Sequence, residues 1–136
     1  MIYVFDSSFI GAQIIPDEQD PIVDTMYRKI KHEDEKYAPH LIWYEIANIL
    51  KNLIRRKRYT VDEVMHFFSP LIAIRLICDF ESGADYAQKL LRLCNDYSIS
   101  SYDAAYLELA GRKKAVLCTL DENLRAAAKK YGVSVL

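Results

Sequence analysis

Glycine and proline are scarce in this chain, four of each in 136 residues. Long flexible linkers are therefore not expected, and no internal repeat or low-complexity segment is present. Cysteine is limited to Cys78, Cys94 and Cys118, in apolar settings and without CxxC spacing. These read as buried thiols of a reducing compartment, not as a disulfide framework. His32, His40 and His66 do not complete a zinc pattern. Excess charge is missing too, with a formal net value of −1. No global field draws this protein to nucleic acid or membrane, so any such contact needs a local basic patch. No apolar stretch approaches the roughly 20 residues that span a bilayer. The apolar start, Met1–Phe5, is broken by Asp6 and has no basic region before it. The expectation is a cytoplasmic protein with no signal peptide and no membrane partner. No glycine-rich loop follows the first apolar run, which argues against a Rossmann nucleotide site.

What is present suits one ordinary globular domain, residues 1–136, with a sizeable core. Ile2–Phe5 reads as a short buried strand, and Ser7–Ile15 as a helix stopped near Pro16. Asp17–Asp20 is an acidic loop. A helix begins at Pro21, whose missing N–H costs nothing in a first turn. The charged run Lys31–Lys36 reads as a solvated helix end and loop, and Tyr37–Pro39 as a strand. Leu41–Arg56 is the clearest helix, with Ile42, Ile46, Ile49, Leu50 and Leu53 at helical spacing. Thr60 and Glu63 have the spacing of a capping box, and their helix is expected to stop near Pro70. Ala73–Cys78 reads as a strand, Ala84–Asn95 and Ser100–Lys114 as helices. Ala115–Thr119 reads as a buried strand, Glu122–Tyr131 as a helix closed by Gly132, and Val133–Leu136 as a last strand. Strands alternating with helices predict an α/β fold, a central and mainly parallel sheet covered on both faces in three layers.

Four acids stand out in that frame. Asp6 and Asp121 each follow a strand, at the carboxyl edge where open α/β sheets bind ligands. Asp103 opens the helix between them, and Ser100 to Asp103 has capping-box spacing. Taken singly, each of the three is explained as a helix cap or first-turn acid. Glu45 is different, because it borders the buried stripe of its helix, with Asn48 and Asn52 along the same edge. Together, carboxylates in one cleft repel one another and either protonate in part or bind a cation. Oxygen ligands of this kind select Mg²⁺ or Mn²⁺. Ser8 and Thr119 add hydroxyls nearby, first read as helix-end hydrogen bonding.

The ordered set Asp6-Ser7-Ser8, Glu45-x-x-Asn48, Tyr102-Asp103-Ala104-Ala105-Tyr106 and Thr119-x-Asp121 resembles a PIN domain. It is most similar to the VapC-type toxin ribonucleases of toxin–antitoxin pairs, over nearly the whole chain. The resemblance implies a metal-dependent endoribonuclease of α/β/α fold. It implies an acidic quartet of Asp6, Glu45, Asp103 and Asp121, with Ser8, Asn48 and Thr119 as supporting polar positions. It also implies a homodimer and a cognate antitoxin that covers the cleft. The aromatic helices near Tyr27, Trp43, Tyr44 and Phe67-Phe68 are candidates for those surfaces. One departure is that Arg125 is the first basic residue after Asp121, four positions on.

On this reading Asp6, Asp103 and Asp121 hold Mg²⁺ or Mn²⁺, and Glu45 is a further ligand or orients the attacking water. Metal-assisted phosphodiester hydrolysis needs neither a histidine nor a nucleophilic serine. The basic helix end, Lys51, Arg55 and Arg56 through Arg58, is a candidate contact for RNA phosphates, as is Arg125. The alternative is a non-catalytic RNA- or protein-binding module on the same scaffold, its acids mainly caps. A phospho-receiver fits poorly, since Asp6 is followed by serines and Asp79 stands without support.

Overall fold

A computed structural model describes residues 1–136. Four parallel strands form its sheet, in the order β3-β2-β1-β4. They are β1 (Ile2–Phe5), β2 (Glu35–Pro39), β3 (Ile77–Asp79) and β4 (Val116–Cys118). Eight α-helices accompany them: α1 (Ser7–Ile14), α2 (Pro21–Tyr27), α3 (Ile42–Arg55), α4 (Val61–His66), α5 (Phe68–Ile74), α6 (Ala84–Tyr97), α7 (Ser101–Lys113) and α8 (Glu122–Tyr131). On one face α7 lies over β1, β2 and β4, with α6 and α8 packed against it. On the other, α1 packs against α2, α3 and α5. This is the expected three-layer α/β/α sandwich.

β1 is central and has no solvent face: Tyr3, Val4 and Phe5 are all buried. That is why it reads as an unbroken run of branched and aromatic residues. α7 is buried continuously from Ala104 to Ala110, and three of those seven residues are alanines. Small side chains let the helix sit close on the sheet, which fixes the position of its first turn. No helix is long and apolar enough to cross a membrane.

Several local expectations are corrected. Ala73–Cys78 is not a strand. α5 continues to Ile74, burying Leu71 and Ile74, and β3 begins only at Ile77. Pro70 does not stop the helix because it lies in the first turn of α5, where no N–H partner is lost. The stop comes at Arg75, which adopts a left-handed backbone, φ 60° and ψ 50°. Lys31–Lys36 is not wholly solvated, since β2 takes in Glu35 and Lys36. Lys36 is buried and its Nζ donates to the His32 carbonyl at 3.3 Å. Val133–Leu136 makes a single parallel bridge, Leu117 to Val135, and no full strand. Of the cysteines only Cys118 is buried; Cys78 and Cys94 are partly exposed. Phe67 is buried and Tyr27 packs on Phe5 and Phe9, so neither is a free surface.

Candidate active site at the carboxyl edge of the sheet

All four strands point the same way, so their carboxyl ends share one edge. The register pairs Phe5 with Cys118, which sets the next residues, Asp6 and Thr119, side by side. The Asp6 N–H closes this pairing on the Cys118 carbonyl at 3.2 Å. Asp6 is buried and caps α1, accepting from the Phe9 N–H at 2.9 Å. Ser8 donates to the same oxygen at 2.7 Å. The other oxygen accepts from the Thr119 hydroxyl in a very short contact. Thr119 in turn accepts from the Asp121 N–H at 3.0 Å, and Ser8 from the Leu120 N–H at 2.9 Å. Two hydroxyls thus tie the ends of β1 and β4 into one hydrogen-bonded unit.

Asp121 caps α8 through the Leu124 N–H at 2.8 Å. The capping explanation therefore holds for Asp6 and for Asp121, and each keeps a further role open. At Ser100 the capping box is only half made: its hydroxyl accepts from the Asp103 N–H at 3.1 Å, but its own N–H makes no bond to the Asp103 carboxylate. Glu45, in the first turn of α3, accepts from the Tyr106 hydroxyl at 3.0 Å. Tyr106 was in the sequence motif but was given no role. Its place one turn after Asp103 was the available signal. Its near-complete burial and its reach to Glu45 were not readable.

The acids influence one another in series. Burial pushes the Asp6 carboxyl up to about 6, against hydrogen bonds from Thr119, Phe9 and Ser8, and the Glu45 charge adds to the rise. Glu45 is also raised, by burial and then by Asp103, despite the Ser7 and Tyr106 hydroxyls. Asp103 is raised by burial and by the charge of Asp121, against a hydrogen bond with the Ser100 hydroxyl. Tyr106 sits among them and is held far above the ordinary phenol range by burial and by Glu45, Asp6 and Asp103. It remains a hydrogen-bond donor. None of the chain's ion pairs involves any of the four acids.

The donors are all oxygens, negatively charged and without a cation, which is the chemistry of a Mg²⁺ or Mn²⁺ site. They do not form a finished cage: no three His, Cys, Asp or Glu side chains close on one point. Both Asp6 oxygens already accept hydrogen bonds, whereas Asp121 accepts at one oxygen only. Asp103 and Glu45 are partly exposed and Asp121 is exposed.

The remaining expected residues lie further out. Asn48 is exposed on α3 and bonds none of the acids. Lys51, Arg55 and Arg56 are exposed near the far end of α3, and the ten-residue step from Glu45 to Arg55 is roughly 15 Å along the axis. Arg58 is not free, being paired with Asp17 and Glu18. Arg125 donates to the carbonyls of Thr119 at 2.8 Å and Leu136 at 3.0 Å. It braces the backbone beside Asp121.

Comparison with known proteins bears on the family and the fold. The chain is 29% identical over 124 residues to Ribonuclease VapC3 of Pyrobaculum aerophilum, covering 91% of this chain and 92% of that protein. Its fold is similar to VapBC2 from Rickettsia felis, solved bound to a DNA fragment from their promoter, with a TM-score of 0.71 at 12% identity, covering 100% and 98%. It is also similar to VapC20 of Mycobacterium tuberculosis, a sarcin-ricin loop cleaving toxin, with a TM-score of 0.64 at 14% identity, covering 93% and 95%. The family described as PIN domain matches residues 3–130. The chain belongs to the PIN domain family.

Proposed function

We propose that this protein is a metal-dependent endoribonuclease, the toxin of a toxin–antitoxin pair. The observation that carries the reading is the group of four neighbouring carboxylates that has no cationic partner, in a chain with 18 Lys and Arg residues. Uncompensated charge of that kind is costly unless something binds it. The similarity to Ribonuclease VapC3 points the same way.

Asp103, Asp121 and Glu45 would hold Mg²⁺ or Mn²⁺ through their carboxylate oxygens, with Asp6 at the buried base. When bound, such an ion neutralises the phosphate and makes water a better nucleophile at neutral pH. The protein's part is orientation. Ser8 and Thr119 hold Asp6 in one rotamer, and Tyr106 keeps Glu45 turned toward the cleft. Arg125 fixes the backbone that carries Asp121. Lys51, Arg55 and Arg56 would meet RNA phosphates farther along the strand from the cut.

A groove of about 500 Å³ between α3 and α4, lined by Leu50, Ile54, Val64, Met65 and Phe68, carries Lys51 and Arg55 on its rim. It suits an amphipathic antitoxin segment bearing acidic residues. Exposed Trp43, on the other end of α3, is offered as part of a homodimer contact.

The test is RNA cleavage with Mg²⁺ or Mn²⁺, with EDTA, and with Asp6→Asn or Asp121→Asn. Activity that survives chelation and both substitutions would sink the proposal. The binding-module reading draws on the real caps made by Asp6 and Asp121. It requires no divalent-ion binding, which calorimetric titration with Mn²⁺ decides.

A further inference from the structure

A second feature of the same edge is aromatic. A pocket of about 440 Å³ is lined by Leu41, Tyr44, Glu45, Asn48 and Tyr102. Tyr44 is 68% exposed and Tyr102 64% exposed. Neither phenol hydroxyl makes a hydrogen bond within the protein, unlike those of Tyr37, Tyr59 and Tyr106. The two rings come from different helices, α3 and α7, and each immediately precedes an acid of the quartet, Glu45 or Asp103. Water-exposed tyrosine rings, unanchored and facing a shared pocket, are not explained by core packing.

We infer that this pocket receives an unpaired nucleobase next to the scissile phosphate, with Tyr44 and Tyr102 as its stacking surfaces. The inference rests on the ribonuclease reading and deepens it. Three observations select a base. The walls offer π-faces, which any base can stack on. Asn48, one turn after Tyr44 on the same face of α3, presents an amide with no partner in the protein, able both to donate to and to accept from a base edge. The lining holds no cation and one carboxylate, so a phosphate is not the occupant. Stacking also solves a positional problem. A phosphodiester held by charge alone can slide along acids and ions, and a seated base fixes which phosphate lies over the acids. The aromatic surface continues away from the acids. His40 lies 5.8 Å from the Tyr44 ring and 5.1 Å from Phe80, which is 70% exposed. A neighbouring base has a surface to follow along the ends of β2 and β3.

The test uses a short, unpaired, fluorescently labelled RNA of mixed sequence, and the same RNA with an abasic ribose scanned through each position. Binding is read by anisotropy on an Asp121→Asn background, and cleavage on the otherwise native chain. Tyr44→Ala and Tyr102→Ala are each expected to weaken binding about 5- to 150-fold. Tyr44→Phe and Tyr102→Phe stay near the native value, because the ring face is kept. An abasic ribose at one position costs the native protein a similar factor and costs the alanine variants little more, so the two losses do not add. Thermal melts check that the variants are folded. Unchanged binding and cleavage in both alanine variants, with native cleavage intact, overturns the pocket and leaves the ribonuclease reading standing. Equal losses on intact and abasic RNA also overturn it. Alanine variants that keep RNA binding but lose a protein partner make this a protein surface instead. A native chain that neither binds nor cuts RNA removes both proposals together.

Discussion

Two groups of acids stand near the same end of this sheet, and they are treated in opposite ways. Asp79, at the end of β3, is met by Arg112 through two hydrogen bonds, 3.2 and 2.7 Å. Arg112 also holds Glu108 at 2.9 and 3.1 Å. Burial would raise Asp79, but the Arg112 hydrogen bonds and charge outweigh it and hold the carboxyl below its ordinary range. At the ends of β1 and β4 the shifts run the other way for Asp6, Glu45 and Asp103, and no arginine or lysine arrives. The fold can supply a planar cation to an acid at this edge, and does so once. The other group has no such cation, and on the proposed reading this is the place for a cation from solution.

The sharpest way to break this contrast is to compare cleavage rates. Asp6→Asn and Asp121→Asn are expected to lower the metal-supported rate by at least about 10²-fold, the scale of losing one transition-state electrostatic contact. Asp79→Asn is expected to leave the rate per folded molecule near native. A comparable loss in all three variants would erase the distinction between the two groups.

The second prediction concerns stability in EDTA. Asp6 titrates near 6 in the folded chain against 3.8 for an ordinary aspartate. The folded state therefore binds more protons than the unfolded state between about pH 4 and 6, so stability falls as pH rises through that window. Glu45 and Asp103 have the same sign. Asp79 has the opposite sign, its contribution being lost only as pH drops below the ordinary carboxylate range. Over the whole window the Asp6 effect is on the order of 3 kcal/mol. Chelated protein should melt higher at pH 5 than at pH 7. Asp6→Asn should flatten that slope and raise the pH 7 melting temperature, even as it abolishes cleavage. Added Mg²⁺ should stabilise the native chain more at pH 7 than at pH 5. A native chain that loses stability on going from pH 7 to pH 5 in EDTA contradicts the assignment.

Arg112→Met probes the neutralised group. It leaves two largely buried carboxylates unpaired and is expected to cost roughly 1–3 kcal/mol in a urea melt, between a surface pair and a buried one. The cleavage rate per folded molecule should hardly change. A large fall in that rate without loss of stability would place Arg112 in the catalytic machinery.

The contrast was half legible in the sequence. Asp6 and Asp121 each follow an apolar run, and parallel strands bring such residues to one edge, so that pair was readable from order and periodicity, while the quartet as a set came from the family resemblance. The neutralised group was not. Arg112 lies 33 residues from Asp79, and no local pattern records that pairing. The Tyr106 to Glu45 bond spans 61 residues and was hidden for the same reason. Ala73–Cys78 misled because a short branched-aliphatic run has no period long enough to separate a buried helix turn from a strand. Lys36 misled because a charged run reads as solvated unless the strand that buries it is known. Arg125 read as a free cation, since its carbonyl partners come from a loop and the chain's last residue.

The smallest expected effect tests the basic end of α3. Lys51 and Arg55 lie on the rim of the α3–α4 groove, and Arg55 is roughly 15 Å along the helix from Glu45. Lys51→Ala and Arg55→Ala are expected to weaken RNA binding only a few-fold at low salt, and each to reduce the salt slope by about 0.7. The aromatic pocket variants, by contrast, should leave that slope unchanged, because stacking releases no counterions. If Lys51→Ala and Arg55→Ala leave the slope intact yet abolish binding of an acidic amphipathic peptide, the basic end belongs to the antitoxin groove alone. The RNA path is then confined to the acid edge and its aromatic rings.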